Sequence, residues 1–329
     1  MDLVTGATGF IGSHLVKALV ARGRRVRCLV RDRARASALE DPLVELRQGD
    51  LQDAGFVVRS LHGVSRVFHL IGGGKVSAMS GAGLATLRTA NVAPLEAMLR
   101  GARGADLRCF VHFSSISAMG VQLDVRLDEE SPCLPGTPHE FVKLESEQLA
   151  LDAWREGVPV VVLRPSMTYG PADTRSEIPK LVRLARRGIV PLFGGGEGLV
   201  PWVYISDVID ATLAAAESAH AVGRTYIVAG EDSYRFADVV QAIAHALGRR
   251  RGGVRIPTAI AWPAFAAAEA GAVLLGREPV FTRHRLASLC GHRTLNIERA
   301  RRELGYSPRV NLREGMTRAV RWYVDNGLV

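Results

Sequence analysis

The 329-residue chain predicts an α/β fold, a doubly wound parallel sheet carrying a smaller, mainly helical C-terminal cap. Three observations predict it. Short apolar runs alternate with amphipathic stretches of helix length through the first half, those runs are apolar on both faces, and Gly/Pro-rich connections replace the rhythm after about residue 165.

Taken in order, "DLVTG" reads as the first strand and "GSHLVKALVARG" as the helix after it. Further strands follow at "RVRCLV", "LVELRQGD", "SRVFHLI", "LRCFVHFSS" and "PVVVLRP", with a helix at "APLEAMLRGAR". A strand apolar on both faces needs helices above and below it, so the sheet is expected at the centre of a domain spanning 1–165. "YGPADT" and "LFGGGEG" then mark a substrate cap, 166–200 and 221–329. "PWVYISDVIDATLAAAES" reads as strand and helix, so 201–220 is expected to return to the first domain.

Composition excludes several classes. A hydrophobic content of 47% and a mean hydropathy of +0.10 suit a folded chain with one large core or two smaller ones. The net charge of +9 is almost wholly arginine, because only Lys17, Lys75, Lys143 and Lys180 are lysines. Those arginines are scattered and not interleaved with aromatics, which speaks for a solvated surface and against nucleic acid. Cys28, Cys109, Cys133 and Cys290 lie far apart without a CxxC spacing, so no metal is expected and a reduced cytoplasmic location is. The chain enters a strand by Gly6, with no apolar leader before it. Residues 256–276, "IPTAIAWPAFAAAEAGAVLLG", are long and apolar, but Pro263 and Glu269 interrupt them. A core or substrate-cover helix is expected there, with membrane contact as the alternative.

In "VTGATGFIGSHLV", Gly6, Gly9 and Gly12 fall between the first strand and the first helix, with Thr8, Phe10 and Ile11 in the same turn. The glycines permit a tight turn, close approach to a pyrophosphate, and contact of helix with sheet. This is the Rossmann-type dinucleotide fingerprint in its proper context. The second strand ends "CLVRDR", where a guanidinium accommodates a ribose 2'-phosphate and a carboxylate binds a free 2'-hydroxyl. Arg31 at the tip, followed by Arg33 and Arg35, favours NADP; the adjacent Asp32 leaves NAD possible.

The spacing TGxxGxxG together with "GDL" (Gly49, Asp50, Leu51) resembles the extended short-chain dehydrogenase/reductase family, of the NAD-dependent epimerase/dehydratase type. "VFHLIGGG", "FVHFSSISAMG", "LRPSMTYGP" and "ARRELGYSPRVNLREGM" extend the resemblance over nearly the whole chain. It implies that Asp50, with Leu51, contacts the adenine, that Pro165 and Met167 lie along the nicotinamide, and that Lys143 holds the nicotinamide ribose. Counting back from Gly120, Ser115 matches the active-site serine. The family's tyrosine, four residues before the lysine in "TPHEFVKLESEQL", is here His139. All six tyrosines lie at or beyond Tyr169, so none can stand in for it. His139 is left with three readings: substitute acid/base, substrate ligand, or a residue without a role.

Nucleotide-sugar members of the family carry an Asn and an Arg where this chain has Met167 and Val200, with Pro201 next. The dehydratases place a carboxylate where Ser117 stands. The resemblance is therefore nearest the 3β-hydroxysteroid dehydrogenase and dihydroflavonol reductase branch, with Trp202, Trp262 and Phe265 as candidate lining of an apolar pocket. It implies an NADP-dependent oxidoreductase acting on a small apolar hydroxy or keto compound, as monomer or homodimer. Two other classes stay open: a non-redox isomerase or lyase that uses His139 with structural NADP(H), and a catalytically silent NADP(H)-binding module.

Overall fold

The computed structural model describes residues 1–72, 81–174, 176–275 and 282–329. Gly73 and Gly74 of "VFHLIGGG", Lys75, and residue 276 of the long apolar segment lie outside them. The first half comprises β1 (Asp2–Thr5), α1 (Phe10–Ala21), β2 (Val26–Val30), β3 (Val44–Gln48), α2 (Ala54–Leu61), β4 (Arg66–His69), α3 (Gly81–Ala102), β5 (Cys109–Phe113), β6 (Val125–Leu127), α4 (Pro138–Arg155) and β7 (Val160–Pro165). The second half begins with β8 (Met167–Tyr169), α5 (Ile178–Arg187), β9 (Val190–Phe193), β10 (Leu199–Val200), β11 (Trp202–Tyr204), α6 (Ile205–Glu217), β12 (Thr225–Val228), β13 (Tyr234–Arg235) and α7 (Phe236–Ala246). It ends with β14 (Gly253–Ile256), α8 (Thr258–Leu274), α9 (Arg283–Cys290), β15 (Arg293–Leu295), α10 (Glu298–Leu304) and α11 (Leu312–Asp325).

Among the described residues, seven strands form one parallel sheet in the order β12-β7-β5-β4-β1-β2-β3. Every residue of β1, β2, β5 and β7 is buried, as two-sided apolar runs require. Chain order reverses between β1 and β4, and at such a switch point the carboxyl ends of the strands leave a crevice.

All six strands read from the first half belong to this sheet. Its seventh strand departs from expectation. Trp202–Tyr204, expected to return to the sheet, pairs instead with β8, whereas β12, assigned to the cap, adds to the edge beside β7. Tyr226, Ile227 and Val228 are fully buried there, and the three-residue apolar run is short enough to pass for a loop. The helix after Trp202–Tyr204 does return, since α6 packs on α1, β5 and β7.

In α8, Ala261 and Phe265 pack with Phe193, Ile256 and Leu286, the Phe193 and Phe265 rings meeting edge to face at 5.2 Å. Trp262 is partly exposed, and Ile260 and Leu274 are 63% and 86% exposed. Trp202 is a core residue, packed edge to face on Tyr169 at 5.7 Å. No helix among the described residues is long and apolar enough to cross a membrane.

Two histidines lie inside the sheet. His69 of β4 and His112 of β5 are register partners with rings 6.0 Å apart, and Thr5 Oγ1 lies 3.0 Å from His69 Nδ1. Burial, reinforced by Lys143, pulls His69 down to about 3, and burial holds His112 well below its ordinary value. Both rings are therefore neutral in the folded state while an unfolded chain takes up protons near pH ~6.5. Over that window the unfolded state binds more protons, so stability falls as pH falls, by up to ~1.4 kcal/mol per pH unit for each histidine. The His112→Phe variant should lose part of this slope. Urea midpoints measured at about pH 7 and pH 5 would check it, the variant falling less between them than the parent.

Candidate functional site

The glycine turn sits where β1 meets α1. Gly6 has φ 72°, and a Cβ there would lie 3.0 Å from the Leu70 backbone, so only glycine fits without strain. A Cβ on Gly12 would collide with the Gly6 carbonyl oxygen, which also accepts from Gly9 N at 2.9 Å. The helix therefore presses onto the turn. Gly9 caps α1 without a side-chain hydrogen bond, and no acidic residue occupies the first turn. Unsatisfied N–H groups and the positive end of the helix dipole thus meet at a cradle that any added Cβ would fill, and this suits the pyrophosphate of a dinucleotide.

A cavity of about 360 Å³ opens at this cradle. It brings together Gly6, Gly9, Phe10, Ile11, Gly12, Lys143 and Pro165 of the expected residues, and adds Ser114, Phe113 and Asp173. The others stand around it. Thr8 is exposed in the turn, Arg31 is exposed directly after β2, and Asp50 closes its own turn by accepting from Gln52 N at 3.0 Å. Leu51 is buried beside Asp50, and Met167 opens β8.

Local sequence fixes the start of α4. Thr137 accepts from Glu140 N at 3.4 Å, Glu140 Oε2 accepts from Gly136 N and Thr137 N at 2.8 and 3.1 Å, and Pro138 occupies the first turn. A spacing of four then sets His139 and Lys143 on one face. Lys143 is buried, with Nζ donating to the Phe113 carbonyl at 3.4 Å. A Cβ on Gly72 would come 2.7 Å from that Nζ, so the glycine leaves room for the ammonium. Burial lowers Lys143 to about 8, against the opposing pull of Glu147. His139 is half-buried and takes no hydrogen bond from the described residues. Burial and then Lys143 lower its pKa, and Glu140 opposes them.

Behind Lys143 lies a network that the sequence motifs do not reveal. Glu147, four residues beyond Lys143, accepts from Ser114 Oγ at Oε2, 2.6 Å, and from Arg164, which holds both carboxylate oxygens at 2.6 to 3.2 Å. Arg164 closes the apolar run "PVVVLRP", and a cation ending a buried strand was the signal that it needed a carboxylate. Ser115 heads the short turn Ile116–Met119. Its Oγ accepts from Ser117 N at 3.1 Å and donates to Ser117 Oγ at 3.2 Å.

A larger hollow of about 830 Å³ lies between α5, α7 and β14 and contains none of the expected residues. Size alone does not mark the site. The chemistry gathers at the smaller cavity, where a phosphate cradle, a buried lysine and Ser114 meet at the ends of β1, β4 and β5, while Ser115 and His139 are not among its lining residues.

The NAD dependent epimerase/dehydratase family model matches residues 3–229. Sterol demethylase protein B of Methylococcus capsulatus is 31% identical over 99% of this chain and 99% of its own. The 2-alkyl-3-oxoalkanoate reductase of Stenotrophomonas maltophilia is 29% identical over 96% of this chain and 97% of its own. Among solved structures, the dTDP-glucose 4,6-dehydratase DesIV of Streptomyces venezuelae, with NAD and TYD bound, superposes with a TM-score of 0.79 at 26% identity, over 99% of this chain and 97% of that one. With the cradle and sheet order on the same residues, the chain belongs to the NAD dependent epimerase/dehydratase family, the extended short-chain dehydrogenase/reductases, as a nicotinamide-dependent enzyme of redox or related chemistry.

Proposed function

We propose that this protein is an NADP-dependent oxidoreductase interconverting a hydroxyl and a carbonyl on a small apolar compound. The observation that carries the reading is Lys143, held as a buried cation against Phe113 O at the floor of the glycine cavity. A bound NADP(H) supplies or takes up the hydride. Lys143 orients the nicotinamide ribose, with the glycine turn at the pyrophosphate and Pro165 and Met167 along the ring. Ser115 turns its hydroxyl from Ser117 to the substrate oxygen, and His139 exchanges the proton there. An imidazole is shorter than a phenol, so a water bridges the remaining gap.

The 2'-phosphate falls to Arg31. It is exposed at the end of β2, while Asp32 Oδ1 is engaged by Ala34 N at 3.0 Å. Val200 and Pro201 offer a diphosphate no partner, and the named substrates of the sterol and oxoalkanoate relatives agree with an apolar ketone or alcohol. A UDP or dTDP sugar binding at micromolar concentration would end this assignment.

Titration with NADPH and NADH should show tighter binding of NADPH. The Arg31→Asp variant should weaken NADPH by about 10- to 100-fold and leave NADH nearly unchanged, since a charge-assisted bond is lost and repulsion added. Equal affinities in the parent protein would remove Arg31 from the site.

The pH profile tests His139. As proton donor in ketone reduction the ring must be charged, and its pKa lies below the ordinary ~6.5. Reduction should therefore rise as pH falls into that range, and oxidation, which needs the neutral ring, should hold its plateau above it. His139→Ala should lose ~100-fold or more in turnover with NADPH binding intact, and His139→Tyr should restore ketone reduction. Full activity in His139→Ala, with no pH dependence below neutrality, would assign the proton to another group.

A further inference from the structure

α8 is apolar on every side. Its 17 residues, TAIAWPAFAAAEAGAVL, hold one charged group, Glu269, and that carboxylate accepts from Arg283 Nε at 3.1 Å. A helix that is hydrophobic all round is ordinarily covered all round. Only one side of α8 is. Ala261 and Phe265, four residues apart, pack with Phe193, Ile256 and Leu286. Ile260, Ala264, Ala267 and Leu274 recur at helical spacing on another side and are exposed, and the remaining exposed positions of the helix are alanine, proline and Trp262. Leu275, in the turn that follows, continues the bare surface at 72% exposure.

The segment that leads into this helix is basic. Residues 239–268 contain no carboxylate, and Arg249, Arg250, Arg251 and Arg255 precede α8 in the loop and strand of β14. All four are exposed, and among the described residues none makes an ion pair. Ile256, next to Arg255, packs with Ala261 and Phe265, so the charge reaches the foot of the helix. A Cβ on Gly188 would lie 3.8 Å from Arg251 O, which brings the exposed Arg186 and Arg187 of α5 beside the same loop. The carboxylates bordering these arginines, Glu197 and Asp238, are engaged by Arg235. A bare apolar helix thus adjoins a surface of unneutralised guanidinium groups.

We propose that this face docks on an anionic lipid bilayer, with the bare side of α8 among the upper acyl chains and the arginines of 249–255 against the acidic headgroups. The 17 residues of α8 reach about 25 Å, short of the ~30 Å hydrocarbon core, so the helix lies in the interface and does not cross it. Trp262 suits that depth, because an indole offers an apolar body and one polar N–H. A second copy of the chain matches the face less well. Two-fold contact through α8 would gather the arginines of both copies at one interface, like charge beside like, whereas acidic lipid neutralises them. This docking is independent of the reaction at the glycine cavity.

Cosedimentation of the protein with vesicles tests it, phosphatidylcholine alone being compared with phosphatidylcholine containing about a third phosphatidylglycerol. Affinity for the mixed vesicles should be about 10-fold higher or more, and the difference should shrink as added salt screens the arginines. Ile260→Asp combined with Leu274→Asp should weaken binding to mixed vesicles by about 10-fold or more, and Arg250→Gln combined with Arg251→Gln by about 10- to 30-fold. NADPH affinity and melting temperature should be unchanged in both variants, since all four side chains stand in solvent. Absence of binding to mixed vesicles, equal affinity for the two kinds of vesicle, or full binding by either variant overturns the proposal. A concentration-dependent dimer that Ile260→Asp with Leu274→Asp abolishes, without vesicle binding by the parent, assigns the face to a second copy and overturns it equally.

Discussion

The ion pair between Arg164 and Glu147 holds α4 to the sheet, and the site takes its shape from that bond. Both side chains are nearly inaccessible, at 6% and 3% exposure, and two charges in that position are tolerated only with close geometry and further hydrogen bonds. Those bonds are present: Ser114 Oγ donates to the carboxylate, and the guanidinium also reaches Glu129 O and Cys133 Sγ. β5 and β7 are neighbours in the sheet, so one carboxylate on α4 reads the ends of both strands. This sets the rotation of the helix. Lys143 lies one turn before Glu147, and with that turn fixed its ammonium donates to the Phe113 carbonyl at the end of β5.

A column of basic groups runs from this anchor into the sheet. Lys143, His69 and His112 are all buried, and burial is the first cause of the lowered pKa of each. The histidines respond by staying neutral. The lysine keeps enough charge near neutral pH to serve a polyanionic ligand, and the helix dipole of α1 adds to the same field. Desolvation here favours an incoming anion twice, because the ligand both screens the cation and replaces its lost hydration.

How much of this was legible follows from the distance over which each feature is encoded. The glycine turn and the six strands are local, each written within about a dozen residues, and the structure places each where the pattern predicts. Arg164 and Glu147 are individually odd in sequence, but their pairing joins two elements separated by a turn. β12 is a short run whose strand character depends on the edge of β7 that it covers. His69 and His112 lie more than forty residues apart and meet only through the β4–β5 register.

His139 stands on a stretch of α4 whose geometry is set by its neighbours. Thr137 and Glu140 pin the first turn of α4 and Glu147 pins the turn beyond Lys143, so the backbone at His139 is fixed from both ends. The glycine turn is equally fixed, since an added Cβ at Gly6 or Gly12 finds no space between Leu70 and α1. The α4 side and the glycine side are therefore both set by local chain chemistry, a capping box on the one and glycines without a Cβ on the other.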